Sequence, residues 1–477
     1  MKRAAIGTEA QLHNGLLVSI VGILSFLILA LVPASSVSGV TFTVMGCGVF
    51  LFMLLFVVSA AQRSQTLDPA KAYLRLALVV WWSLLVAEQP FFRHTAHEEA
   101  VAGQFSAAAY GEAAFWALAF VALFLMPRPQ YLRQAFSGCN KWLSLFALVC
   151  LASAPLSPTP LYSLAWAFKL LLVVVLLLLC SGTMHDLNDV ESFFWSNFWG
   201  FLIVAAVPVA RAFADPSAAF TGGRLNEALA SPTGLSSCAG TLVLLSLTLN
   251  SLRNRSWLLG FAFVGSTVMI MAGGKAGIAA GIMSVTLFFF LQKRVAASLG
   301  WLLAVFALGI VILAVTPLPT YFTAYQQHGH LSTLTGRTEL WSAVRPEIME
   351  HPIVGHGYLG SKFLPEDVEV PMEQSGTMEN GFLEALYNNG LVGLIILIVI
   401  HLVIVKKLWR ALEGPLNRNG HLLAVGSWAI YINLLIAGLF NATFGGAARP
   451  PFMLLLGLVV VSEKLRSMTH PPTRSTG

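Results

Sequence analysis

The sequence predicts an all-α membrane protein, a polytopic transmembrane helix bundle of about 12–14 spans with one large outer loop carrying short helices. Three observations predict it. Of 477 residues, 57% are hydrophobic and only 10% charged, and mean hydropathy is +0.75, whereas an ordinary soluble domain carries roughly 25% charged residues. The apolar residues come in runs, among them Gly15–Val32, Phe42–Ala60, Leu161–Cys180 and Leu299–Thr316, each close to the roughly 20 residues a helix needs to cross the hydrocarbon core. Those runs lack the period-two alternation of a membrane β-barrel, whose strands run to about 10 residues, so the backbone must satisfy itself within helices.

Fourteen apolar segments begin near residues 15, 38, 73, 112, 141, 161, 193, 233, 256, 275, 299, 389, 422 and 449. The chain starts with the basic Met-Lys-Arg, but Gly15–Val32 is longer than the apolar part of a cleaved signal, so it reads as the first span. With the N-terminus inside, 19 of the 28 Lys and Arg residues fall on the inner side, and both termini come out cytoplasmic. One inner stretch, His185–Glu191, breaks the pattern, being acidic without Lys or Arg. The expected organisation is a first bundle portion over 1–317 with about eleven spans, an outer loop over 318–388, a second bundle portion over 389–465 with about three spans, and an inner tail over 466–477.

Nine cations do not follow the inner pattern: Arg93, Lys169, Arg211, Arg224, Lys275, Arg337, Arg345, Lys362 and Arg449. A cation held in or beyond the membrane marks either a buried partner or a ligand, unless it snorkels to the headgroups. Loops of some 70 residues, such as 318–388, are uncommon without a function. Within it, Leu340, Trp341, Val344 and Ile348 form an apolar helical stripe that ends at His351-Pro352.

The net charge of +6 sits mostly between apolar runs, so it reads as topology and not as a nucleic-acid surface. Five cysteines, odd in number and without a CxxC pair, argue against a disulfide framework or zinc site. No nucleotide-binding glycine loop occurs, and no Asp-x-Asp triplet precedes an outer loop, so neither a cofactor nor a metal is expected. Glu366-Asp367-Val-Glu369 reads as a solvated face.

Four outer stretches carry the candidate chemistry. They are Thr221-Gly-Gly-Arg224 with Ser231-Pro-Thr-Gly234, then Met271-Ala-Gly-Gly-Lys275-Ala-Gly277, then Gly336-Arg337-Thr-Glu-Leu-Trp341 followed by His351-Pro-Ile-Val-Gly355-His-Gly357, and last Glu379-Asn380-Gly-Phe-Leu383 followed by Gly390-Leu-Val-Gly393. In this order, over roughly 150–395 and with the turn Ser153-Ala-Pro-Leu-Ser157, the chain resembles the bacterial O-antigen polymerase and O-antigen ligase superfamily. The resemblance implies a metal-independent glycosyltransferase of the bacterial inner membrane. Such an enzyme moves a glycan from undecaprenyl diphosphate to a sugar hydroxyl at the periplasmic face. The acceptor would be another lipid-linked repeat unit for a polymerase of O-antigen or exopolysaccharide, and lipid A core or protein for a ligase. A chain-length regulator is an implied partner, and nucleic acid is not. Two departures stand out. Gly274-Lys275-Ala276 replaces the family's Ser-Arg-Gly, keeping charge but losing the planar fork. Glu379 stands where the ligases hold a His before the Asn, which favours the polymerase reading.

The residues support the same chemistry without the resemblance. Expelling a diphosphate without a metal calls for Arg, Lys and helix N-termini, and Arg224, Lys275 and Arg337 fit, with Arg211 as a fourth candidate. Arg337 is expected to open the loop helix. The alternative for these cations is salt bridging to Glu227, Glu339 or Glu347. The attacking hydroxyl must lose a proton to a base, for which Glu379 is the candidate and a helix-capping carboxylate the alternative. Asn380 is expected to orient the base or accept a backbone contact, with Trp341 and His356 in support, and Gly390 and Gly393 to allow close helix packing. The competing class is a lipid-linked oligosaccharide transporter, which calls for duplicated halves that the sequence does not display.

Overall fold

The computed structural model describes residues 69–87, 138–214, 219–221, 224–225, 232–316, 318, 337–362, 378–441, 444–446 and 449–469. The segments expected near residues 15, 38 and 112 lie outside them. The remaining eleven are each a helix: α1 (Pro69–Ala87), α2 (Asn140–Ser153), α3 (Pro160–Thr183), α4 (Leu187–Ala214), α5 (Pro232–Arg253), α6 (Trp257–Met271), α7 (Lys275–Leu291), α8 (Val295–Val315), α10 (Gly381–Glu413), α11 (Arg418–Leu439) and α12 (Pro450–Thr469). The apolar stripe of the outer loop forms α9 (Arg337–Glu350). Between α4 and α5 a two-residue ladder pairs β1 (Phe220–Thr221) with β2 (Arg224–Leu225). Among the described residues, α3, α4, α5, α8, α10 and α11 are long and apolar enough to cross a membrane.

Packing follows from where small and polar residues fall. Helix α5 lies at the centre, against α4, α6, α7 and α11. Three of its hydroxyls bond back to their own helix, Thr241 to the Ser237 carbonyl, Ser246 to that of Leu242 and Thr248 to that of Leu244, so these add little bulk or unsatisfied polarity at the contact. Asn433 of α11 ties the two helices by donating to the Ser237 carbonyl at 3.2 Å and the Thr241 hydroxyl at 3.0 Å. By contrast α8 is peripheral, with Leu303 and Phe306 each 69% exposed, which is the surface of a helix facing lipid.

The helices alternate in direction, so their connections separate into two ends. One end gathers the connections α3–α4, α5–α6, α7–α8, α10–α11 and the C-terminal end of α12. The acidic exception found in the sequence is resolved there. Asp186 pairs with Lys71 at 3.5 Å, and Glu191 receives Arg253 in a two-pronged contact at 2.6 and 2.8 Å. Asp189 instead accepts the backbone N–H groups of His185 and Asp186, and Lys407 pairs with Glu463.

The other end gathers the connections α2–α3, α4–α5, α6–α7, α8–α10 and α11–α12, and with them every described candidate residue. Helix α10 is broken there. Gly390 has φ +63° and ψ −164°, a conformation open essentially to glycine alone. In a straight helix Phe382 and His401 would lie about 28 Å apart, yet their rings are 5.2 Å apart. The 381–389 half is therefore folded back on the 391–413 half, as a re-entrant segment.

Candidate active site

Arg224 and Lys275 come together at the α6–α7 turn. Gly273 there has φ +64°, and a Cβ on it would fall 3.1 Å from the Arg224 side chain, so the Arg224 stem lies directly on this glycine. Ser236 of α5 fixes the turn by donating to the Met269 carbonyl at 3.0 Å and accepting the Gly274 N–H at 3.1 Å. Lys275 is exposed at the first position of α7, and the Arg224 charge acts on it. The turn thus brings two cations near each other at this end of the bundle.

Arg337 and Glu379 form the second pair. Arg337 opens α9, as expected, and its Nη2 lies 3.1 Å from Glu379 Oε2, with the two side chains 16% and 22% exposed. The partner is thus neither Glu339 nor Glu347. Trp341 Nε1, one turn along α9, donates to the Met378 carbonyl at 2.9 Å, fixing the residue before Glu379. Leu340, Val344 and Ile348 pack on Met378 and Tyr387, which seats α9 on the re-entrant half helix. Glu379 is not the helix cap. Asn380 is, its Oδ1 accepting the N–H groups of Phe382 and Leu383 at 3.0 Å each, while its Nδ2 donates to the Leu439 carbonyl at the end of α11. Glu379 has φ +48°, uncommon for a residue with a side chain and a mark of a position held by its surroundings.

The remaining candidates divide. His356 is used structurally, its ring stacked 4.4 Å from that of Tyr387 and its Nε2 2.7 Å from the Glu347 carbonyl. Arg211 lies in the last turn of α4, at the same end, and its side chain is outside the described residues. The Arg224–Lys275 and Arg337–Glu379 pairs share one end of the bundle, without a described contact between them.

One reading needs correction. Gly390 is the hinge of the re-entrant segment, not a contact between neighbouring helices, and the loop fills the break: Leu391 and Val392 donate N–H groups to the carbonyls of Pro352 and Ile353 at 2.8 and 3.3 Å. Gly393 lies against Asn389 of the folded-back half, where a side chain would clash. The turn after α2 joins the same assembly through Ser153, which donates to Asn389 Oδ1 at 2.8 Å.

Sequence reading passed over Glu384, Ser361 and Tyr358. Glu384 is 1% exposed on the re-entrant half helix, and its Oε1 accepts from the Ser361 hydroxyl at 3.3 Å. Tyr358 donates to the Gly446 carbonyl at 2.9 Å, and burial pushes its phenol well above the usual range, keeping it a neutral donor. The available signal was Asn389-Gly390, a turn pair within an apolar run.

An apolar groove of about 810 Å³ opens beside the first cation pair, lined by Val209, Phe213, Phe263, Met271 and Val315 among others. Met271 ends α6, two residues before the glycine under Arg224.

The fold defines an all-α polytopic membrane protein whose cations, carboxylate and apolar groove gather at one end of the bundle. Residues 240–398 match the family model described as O-antigen ligase, and the match supports the O-antigen ligase/polymerase superfamily that the motif order suggested. Members of that family are glycosyltransferase-like enzymes acting on lipid-linked glycans. No curated protein matches the chain.

Proposed function

We propose that this protein is a polymerase of a surface polysaccharide, transferring a glycan from undecaprenyl diphosphate to a sugar hydroxyl of a lipid-linked repeat unit at the periplasmic face of the inner membrane. The observation that carries the reading is the Arg337–Glu379 pair, at the bundle end that also holds Arg224 and Lys275. The opposite end holds Arg253, Arg255, Lys293, Arg294, Lys406, Lys407 and Arg410, and such an excess supports a cytoplasmic placement for it.

In the proposed reaction, the acceptor oxygen attacks the anomeric carbon as the bond from that carbon to the diphosphate oxygen breaks, inverting the centre. The electron pair leaves with the diphosphate, where Arg224, Lys275 and Arg337 stabilise it, with Arg211 as a further donor of charge. The polyprenyl tail lies in the groove beside Met271. Glu379 takes the acceptor proton. Because Arg337 is paired with Glu379 before substrate arrives, the diphosphate competes for the guanidinium and releases the carboxylate to act as base. No step calls for a metal or cofactor.

The ligase reading is favoured by one observation, the description of the matched family. One experiment separates the two. Purified protein is given a short undecaprenyl-diphosphate-linked oligosaccharide in EDTA, and glycan length and released lipid are followed by mass spectrometry. A growing ladder from this one substrate is expected. Transfer only after lipid A core is added establishes the ligase, and silence in both overturns the transferase in favour of a transporter.

A further inference from the structure

Glu384 is one of the most deeply buried charged groups of the described chain and has no part in the chemistry above. It stands in the first turn of the re-entrant half helix, five residues beyond Glu379, with its backbone N–H on the Asn380 carbonyl at 2.9 Å. Three separate stretches of chain close around it. From the loop, Ser361 donates its hydroxyl to Oε1 and its backbone N–H to Asn388 Oδ1 at 2.8 Å. From the α11–α12 connection comes Gly446, whose missing Cβ would fall 2.4 Å from Oε1 and 2.8 Å from the carboxyl carbon, so the carboxylate fits only against a bare backbone. Tyr358 bonds the Gly446 carbonyl and so links loop and connection directly. The second oxygen, Oε2, is buried and has no hydrogen-bond partner among the described residues.

A buried carboxylate with one oxygen left over is costly unless charge compensates it. Burial weighs most heavily against its charge, and the Glu379 charge adds to that, while opposite charge on both stretches works the other way. Lys362 follows Ser361 and Arg449 lies three residues beyond Gly446, and both act electrostatically on Glu384 to favour the carboxylate, as the Ser361 hydroxyl does. Both belong to the nine cations that broke the inner pattern in the sequence.

We propose that Glu384 is a positioning residue of this site: its carboxylate draws the 358–362 loop segment and the 444–449 connection onto the re-entrant half helix, and so sets Lys362 and Arg449 beside the reacting groups. A space-filler would not need charge. An anionic centre between cations from two stretches does, and its effect on the reaction passes through those cations and not through contact with substrate.

The proposal rests on the transferase reading for its kinetic readout. Glu384→Gln keeps the shape and the acceptor for Ser361 while removing the charge, and Glu384→Asp keeps the charge on a shorter arm. With the undecaprenyl-diphosphate-linked oligosaccharide as probe, Glu384→Gln is expected to raise KM about tenfold with kcat within about threefold, and Glu384→Asp to recover most of that loss. In a Lys362→Met, Arg449→Met background, Glu384→Gln should add no further rise. Wild-type kinetics in Glu384→Gln, or equal losses in Gln and Asp, overturn the proposal in favour of packing. If Glu384→Gln fails to accumulate, the triple variant decides: recovery in the membrane is expected where charge balance is the role, and the same loss where volume is. Should the wild type transfer nothing, the transferase reading falls, and the accumulation and thermal stability of these same variants still judge Glu384.

Discussion

The two ends of the bundle use charge in opposite ways. At the α3–α4 end each described acid is committed: Asp186 to Lys71, Glu191 to both prongs of Arg253, Glu463 to Lys407, Glu413 to the Trp409 indole, and Asp189 to two backbone N–H groups. The residues with side chains and positive φ at that end, Asn254 and Lys293, stand within two residues of the ends of α5 and α7, where left-handed residues commonly finish helices. At the α6–α7 end, Arg337 is set against Glu379, the Arg224 stem lies on the glycine two residues before Lys275, and the positive φ values of residues with side chains fall on Leu359 and Glu379, away from any helix C-terminus. At one end the described acids serve the fold, whereas the other sets a charged pair on strained backbone that folding alone does not call for.

The sharpest way to break this comparison is to remove charge from the end held to be functional. Glu379→Gln is expected to lower kcat by about 10²–10⁴, the range for loss of a general base, with membrane insertion unchanged. Wild-type turnover in that variant moves the base elsewhere, and His356, already used between α9 and α10, is the next to test. Arg337→Ala and Arg224→Ala should each cost about 10²–10³ in kcat, as loss of one charge-stabilising donor does. If both retain full polymer output while inserted normally, the diphosphate site is misassigned.

The sequence made the helices legible because the membrane sets their length. Of the twelve segments expected from residue 73 onward, the eleven among the described residues are helices, and the stripe Leu340, Val344 and Ile348 is buried as its spacing required. Charge parity placed Arg224, Lys275, Arg337 and Glu379 on one side, and the described residues share one end. The pairings were not legible. Arg337 meets Glu379 across 42 residues of chain, a match set by how α9 sits on the re-entrant half helix, which no local spacing encodes. The fold-back itself was hidden because residues 381–388 read as the end of the outer loop and the apolar segment as starting near 389, and reversal depends on one glycine torsion. Glu384 was passed over for the same reason, since only the fold-back buries it.

The fold-back can be tested by that torsion. Gly390→Ala places a Cβ 2.2 Å from the Ile353 carbonyl oxygen at a φ of +63°, combining a clash with a strain of about 1–3 kcal/mol. The expected loss is about 3 kcal/mol or more in thermal unfolding, with transfer falling in parallel as α9 and Glu379 lose their seat. Undiminished stability would mean that the chain passes Gly390 in an ordinary helical conformation. Gly300→Ala, at a position with open space around it on α8, is the matched control and should be neutral or slightly stabilising.

The smallest effect belongs to the α3–α4 end, and there the two kinds of charge separate most cleanly. Arg253→Met leaves Glu191 buried with only the Trp195 indole, 3.2 Å away, as a remaining donor. The Arg253 side chain is 48% exposed, so water screens the pair and the loss should be near 1–2 kcal/mol of stability, less than for a fully buried pair. Glu191→Gln should cost a similar amount, and the double variant less than the sum, since the two changes remove one interaction. Transfer per inserted molecule should stay within about twofold of wild type in all three. The same pair of measurements on Arg337 and Glu379 should give the reverse, a large loss of turnover with little change in stability, because a pair that substrate must separate cannot also be one on which the fold depends.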